Sequence, residues 1–156
     1  MSSAPNPPHS RDLRKGRVSE SGRIYHLRTS TARPEPLFAD LFLGREVVAA
    51  LRLQHEQAMV QSLAFVVMPG HLHWLVQLQG NTTLDGLMQA IKGASARRIN
   101  QRLGRSGPLW QEGYFDRALR AEEDVRAIAR YIVANPLRAG LCKHIGDYPL
   151  WDAIWV

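Results

Sequence analysis

The chain has 156 residues, 45% of them hydrophobic and 22% charged, with a single cysteine, Cys142. That is enough length for one domain with its own core, and one cysteine excludes a disulfide framework or a cysteine-based zinc cluster and suits a reducing cytosol. Twenty Lys+Arg against fourteen Asp+Glu leave a net charge of +6, and since only Lys15, Lys92 and Lys143 are lysines the excess is nearly all arginine, whose planar fork suits phosphates and base edges and points to a polyanionic partner.

No apolar run approaches the roughly 18 residues of a membrane span, and the opening MSSAPNPPHS is not a signal peptide, so a cytoplasmic chain with no membrane partner is expected. Residues 1–10 are polar and Pro-rich and read as a disordered tail, with 11–156 as one domain. Arg11 to Arg17 (RDLRKGR) is either a solvated arm or a segment that grips phosphates. Arg23 to Thr31 predicts a first strand, closed by Pro34 and Pro36. Leu43 to Gln57 has apolar residues at helical spacing and predicts a first helix. Leu63 to Met68 is a short apolar run that fits a buried strand. Pro69-Gly70 is a turn signal, and His71 to Leu78 alternates as the second strand of a hairpin. Asn81-Thr82-Thr83 offers an N-cap for a long second helix, Leu84 to Leu103, which Gly104 and Gly107-Pro108 end. Tyr114 to Leu119 predicts a fourth strand. Glu122 to Asn135 predicts a third helix with acids in its first turn, where the helix dipole favours them. The order β-α-β-β-α-β plus a helix is the ferredoxin-like α+β arrangement, an antiparallel sheet covered on one face by two helices. Because that fold hosts many functions, the site has to decide between them.

Two constellations stand out. His71 and His73 are i and i+2 on a strand, so both imidazoles stand on one face and Leu72 on the other. Such a pair is either hydrogen-bonded surface histidine or two ligands of one divalent metal. Tyr131 and Asn135 are i and i+4 on a helix, one above the other. Tyr131 reads as an ordinary half-buried tyrosine or as a nucleophile, and Asn135 as the cap of a helix starting at Pro136 or as an amide ligand. Trp74 falls opposite the histidines and is expected in the core, as are Trp110, Trp151 and Trp155.

Together with VVMPGHLHWLVQL, KGASARRIN, WQEGYFDRALR and ARYIVANPLRAGL, these residues resemble the REP-associated tyrosine transposases, relatives of the single-tyrosine HUH transposases of insertion sequences. The resemblance runs from Leu13 to Trp151. It implies Mg²⁺ or Mn²⁺ held by His71 and His73, Asn135 as a further ligand, and Tyr131 as the nucleophile, ahead of Tyr25, Tyr114 and Tyr148. It also implies a nucleoid-associated protein acting on single-stranded or hairpin DNA as a monomer or homodimer. The chemistry suits these residue types. Phosphodiester cleavage needs the phosphate charge neutralised and a nucleophile held in line. A phenol must ionise to attack, and the phosphotyrosine it forms conserves the bond, so no nucleotide cofactor is needed; no GxxxxGK[ST] loop is present.

Arg97, Arg98, Arg102 and Arg105 lie along the second helix and its exit, with Arg98, Arg102 and Arg105 on one face. They are either a solvated face or, with Arg14, Lys15 and Arg17, a phosphate grip, and Lys92 is expected nearer the active site. The main rival is a domesticated, non-catalytic hairpin-binding module. A metal-binding stress or storage protein is a third reading and leaves the arginine excess without a purpose.

Overall fold

In a computed structural model that describes residues 19–120 and 123–155, five antiparallel strands form one sheet in the order β4-β1-β3-β2-β5. The strands are β1 (Ile24–Ser30), β2 (Val60–Met68), β3 (His71–Leu78), β4 (Phe115–Ala118) and β5 (Trp151–Ala153). The first four stand in the ferredoxin-like order, and the fifth adds to the free edge of β2 through Ala64↔Ala153 and Val66↔Trp151. The helices are α1 (Leu41–Glu56), α2 (Leu84–Leu103), α3 (Val125–Val133) and the single turn α4 (Asn135–Arg138). The expected tail, the basic arm with Arg14, Lys15 and Arg17, and Glu122 lie outside the described residues.

Strand parity splits the sheet into two faces. Tyr25, Leu27, Val67, Leu72, Trp74, Val76 and Leu78 point to one side and close a core with Val47, Leu51, Leu87, Met88, Ile91 and Ile99 of α1 and α2. Trp74 is fully buried there, as its position opposite the histidines predicts, and its Nε1 donates to Ser62 Oγ at 2.9 Å. Trp110 joins this core, with Nε1 donating to Ser95 Oγ at 2.9 Å and Ser95 Oγ donating on to Ile91 O at 2.6 Å. The second side carries a smaller cluster of Ala64, Val66, Met68 and Leu75, on which Ala129 and Ile132 of α3 are seated. The third helix thus covers the opposite face of the sheet from α1 and α2.

The caps explain the element ends. Thr83 Oγ1 accepts from Gly86 N, and Gly104 turns left-handed at φ 62°, so α2 runs over the residues its sequence predicts. Asp40 accepts from Phe42 N and Leu43 N and starts α1 two residues earlier than the apolar spacing indicates. Asp124 caps α3, so that helix is shorter than predicted. Glu123, expected inside its first turn, lies before the cap and pairs with Arg117 at 2.9 Å. Strand β2 begins at Val60 rather than Leu63, with a register shift between Ser62 and Ala64 that fits the extra length.

Candidate active site on the histidine face

The β2–β3 hairpin turns at Pro69-Gly70 with Met68 opposite His71 and Val66 opposite His73. Both histidines therefore share the face of Val66 and Met68, the face that α3 covers. Their rings meet edge to face with centroids 5.1 Å apart. On the other neighbour of β3, His73 lies opposite Arg28 and Leu75 opposite His26. His26 is thus the diagonal neighbour of His73, and His26 Nε2 lies 2.9 Å from His73 Nδ1. Sequence reasoning missed His26. The signal was available: in β1, Tyr25, Leu27 and Thr29 are buried, which assigns His26 and Arg28 to the face of His71 and His73.

Among the described residues, the cations that act on these rings are Arg28, Arg117 and Arg138, and Arg117 is itself paired with Glu123. Burial, the His26 and His71 rings, Arg28 and Arg138 push the His73 pKa down to about 3. Burial and then Arg28 lower that of His71; burial, Arg117 and Arg28 lower that of His26. All three are neutral imidazoles at pH 7, the form that offers a lone pair to a cation. Phe115 stands on the same face in β4, cross-strand from Arg28, is 56% exposed, and meets the His26 ring edge-on at 6.5 Å.

Tyr131 projects from α3 and is 65% exposed, which removes the half-buried reading. The Arg138 guanidinium lies 3.8 Å from its ring centroid and donates to Tyr131 O at 2.6 Å. Since Arg138 also acts on His73, one guanidinium joins the tyrosine's neighbourhood to that of the histidines. The other three tyrosines are part of the framework. Tyr25 is buried and its hydroxyl accepts from Glu20 N. Tyr114 donates to Asp85 Oδ1 at 2.6 Å, and Tyr148 to Val67 O at 2.6 Å. Asn135 does not cap a helix: the turn that follows has no side-chain cap, and Asn135 Nδ2 donates back to Ile132 O at 2.7 Å. That bond orients the amide and leaves Oδ1 as an acceptor or ligand.

Of the other expected residues that the structure describes, Lys92, Arg98, Arg102 and Arg105 belong to a different part of the fold. Lys92 Nζ donates to Gln111 O at 2.9 Å and to Gly113 O, which ties α2 to the loop before β4. Arg98 lies with Glu46, Arg52 and Glu56 in the groove between α1 and α2. Arg102 approaches Glu46 at 3.8 Å. Arg105 does not continue their line, because the left-handed Gly104 ends the helix first, and it pairs with Glu35 at 2.5 Å. These cations belong to the helical layer, with the sheet between them and the histidines. Trp151 packs on the second cluster, whereas Trp155, expected in the core, is 37% exposed beneath Arg126.

Among the described residues no three His, Cys, Asp or Glu side chains form a ready metal cage. What His71, His73 and Asn135 offer is two neutral imidazole nitrogens and one amide oxygen. Such donors fit a divalent ion that completes its shell with water or phosphate oxygens, and they leave its charge uncompensated by carboxylate.

The family described as "Transposase IS200 like" matches residues 20–135. Over 87 residues the chain is 29% identical to the REP-associated tyrosine transposase of Escherichia coli K12, covering 55% of this chain and 50% of that protein. A Haemophilus influenzae relative assigned to the same group is 24% identical over 99 residues, covering 57% and 56%. The chain therefore matches about half the length of these curated relatives. A solved structure of a REP-associated tyrosine transposase bound to a REP hairpin superposes with a TM-score of 0.70 at 20% identity, over 86% of this chain and 79% of that one. The fold is thus shared, and the family match spans both histidines, Tyr131 and Asn135: this chain belongs to the IS200-like transposase family.

Proposed function

We propose that the chain nicks and rejoins single-stranded DNA at hairpin sequences through Tyr131. The observation that carries this reading is an exposed phenol on a helix docked over the histidine face, with Arg138 stacked on its ring and acting on His73. In the reaction the Tyr131 oxygen, its proton released to solvent, bonds to the scissile phosphorus while the P–O3′ bond breaks. The departing O3′ takes up a proton. A 5′-phosphotyrosine and a 3′-hydroxyl result, and reversal by a 3′-hydroxyl rejoins a strand.

His71, His73 and Asn135 would hold a Mg²⁺ or Mn²⁺ ion, which when bound draws electron density from the non-bridging phosphate oxygens. Arg28 and Arg138 supply positive charge around the same phosphate and orient the strand, with Arg117 beside them after it gives up its pairing with Glu123. Asn135, whose Nδ2 is held by Ile132 O, would contribute its free Oδ1 to the ion. In this reading Arg14, Lys15 and Arg17 grip flanking phosphates, while Arg98, Arg102 and Arg105 contact only DNA that wraps onto the helical layer. A hairpin substrate is the choice favoured by the bound REP hairpin of the structural relative.

The test is end-labelled hairpin DNA incubated with the protein and Mn²⁺, Mg²⁺ or EDTA, then run on a denaturing gel. A metal-dependent covalent adduct that Tyr131→Phe abolishes is expected. Undiminished cleavage by Tyr131→Phe would move the nucleophile elsewhere, and binding without adduct in either metal would make the chain a hairpin-binding module.

A further inference from the structure

We propose that His26 is a positioning residue that sets the tautomer of His73 and so presents His73 Nε2 to the metal. This rests on the reading of His71 and His73 as metal ligands. The strand register makes His26 the diagonal neighbour of His73, and the two rings meet edge to edge with centroids 5.2 Å apart and 29° between planes. His26 Nε2 and His73 Nδ1 stand 2.9 Å apart. A nitrogen pair at that distance shares one proton, because one ring must donate and the other accept.

The direction of that bond decides what His73 can do. If His26 donates, His73 keeps its proton on Nε2 and has no lone pair left for an ion. If His73 donates from Nδ1, Nε2 is bare. Since Nδ1 is already occupied by the contact with His26, Nε2 is the one nitrogen through which His73 can ligate. Metal binding therefore requires His73 to donate, His26 Nε2 to accept, and His26 to carry its own proton on Nδ1. An acceptor behind a ligating histidine fixes ring and tautomer together. Here a second imidazole fills the place that a carboxylate or carbonyl takes elsewhere, without adding negative charge beside the phosphate. His26 is itself held in place by the edge of Phe115.

The test uses the full-length, ¹⁵N-labelled, metal-free chain. Long-range ¹H–¹⁵N correlation at pH 7 reads which His73 nitrogen is protonated, and calorimetric titration with Mn²⁺ reads affinity. The wild type is expected to show Nδ1–H at His73. His26→Gln, whose amide oxygen reaches near the position of Nε2, should keep both the tautomer and the affinity. His26→Leu should shift His73 toward Nε2–H and weaken Mn²⁺ binding by about 10- to 100-fold. An Nε2–H tautomer in the wild type, or undiminished Mn²⁺ affinity in His26→Leu, would overturn the proposal. So would a His26 nitrogen that itself shifts on titration with diamagnetic Zn²⁺, since His26 would then be a ligand. If His26→Leu does not fold, the wild-type tautomer and His26→Gln still decide. A chain that meets these expectations but forms no DNA adduct would refute strand transfer and leave the role of His26 intact.

Discussion

Replacing Ile132 by alanine should unlatch helix α3, which carries Tyr131, without unfolding the domain. Helix α3 has nine residues, of which only Ala129 and Ile132 are fully buried; a helix that short is not stable in water without its packing. Ile132 is 1% exposed and lies in the same buried cluster as Val66, Met68 and Leu75. The substitution deletes three carbons, worth about 2.4 kcal/mol of transfer at ~0.8 kcal/mol each, and leaves a cavity besides, so the cost is about 2–4 kcal/mol. At ~1.4 kcal/mol per decade, α3 should open about 30- to 700-fold more often. Native-state hydrogen exchange reads this directly: protection of the Ala129, Ile132 and Val133 amides should fall by that factor while those of Ile91 and Ile99 in α2 hold. Adduct formation through Tyr131 should fall with α3 protection, with Mn²⁺ affinity less affected. Equal loss of protection in α2 and α3 would refute the reasoning, because the helix would then belong to the global unfolding unit.

Acid should destabilise the metal-free protein through its neutral histidines. The unfolded chain protonates them near the ordinary value of 6.5, while the folded chain resists, down to about pH 3 for His73. The unfolded state thus binds more protons in that window, so stability should be full above about pH 7 and fall as pH drops from 6.5 toward 3. Urea denaturation in EDTA checks this, and a flat profile between pH 7 and 5 contradicts it. Arg28→Gln with Arg117→Gln should flatten the salt dependence of single-stranded DNA binding by about 0.7 in log–log slope per lost phosphate contact. Arg98→Gln with Arg102→Gln should change it less, and the reverse ranking would put the strand on the helical layer. Gly44→Ala should lower thermal stability, because the added Cβ would overlap Leu150 Cδ1. Overpacking of this kind costs about 1–3 kcal/mol, and an unchanged melting temperature would show that Leu150 swings away freely.

Much of the frame is local and therefore legible in the residues. Helix α2 carries its own start and stop in Thr83 and Gly104, and alternation along β3 is enough to put His71 and His73 on one face and Trp74 on the other. Elsewhere the deciding partner is distant. Three residues, Trp151–Ala153, form a strand only because β2 has a free edge to receive them. The α2 arginines are basic in any reading, but which layer their helix occupies is set by the burial of Leu87, Met88 and Ile91 against the strand residues beyond it.

What the sequence by itself determined is the family, the order of the elements and the chemistry-bearing types: a histidine pair on one strand, a tyrosine one helical turn before an asparagine. Tertiary structure alone decided which residues act together. It seated α3 on the histidine face, brought Arg28, Arg117 and Arg138 to that face, and left Lys92, Arg102 and Arg105 holding loops and helices. It also placed His26, 47 residues away in the chain, against His73. The physical reason is that strand parity and helical period fix a side chain's direction within its own element. Its partners depend on register and on the side of the sheet each helix covers, and those are settled by burial across the whole chain.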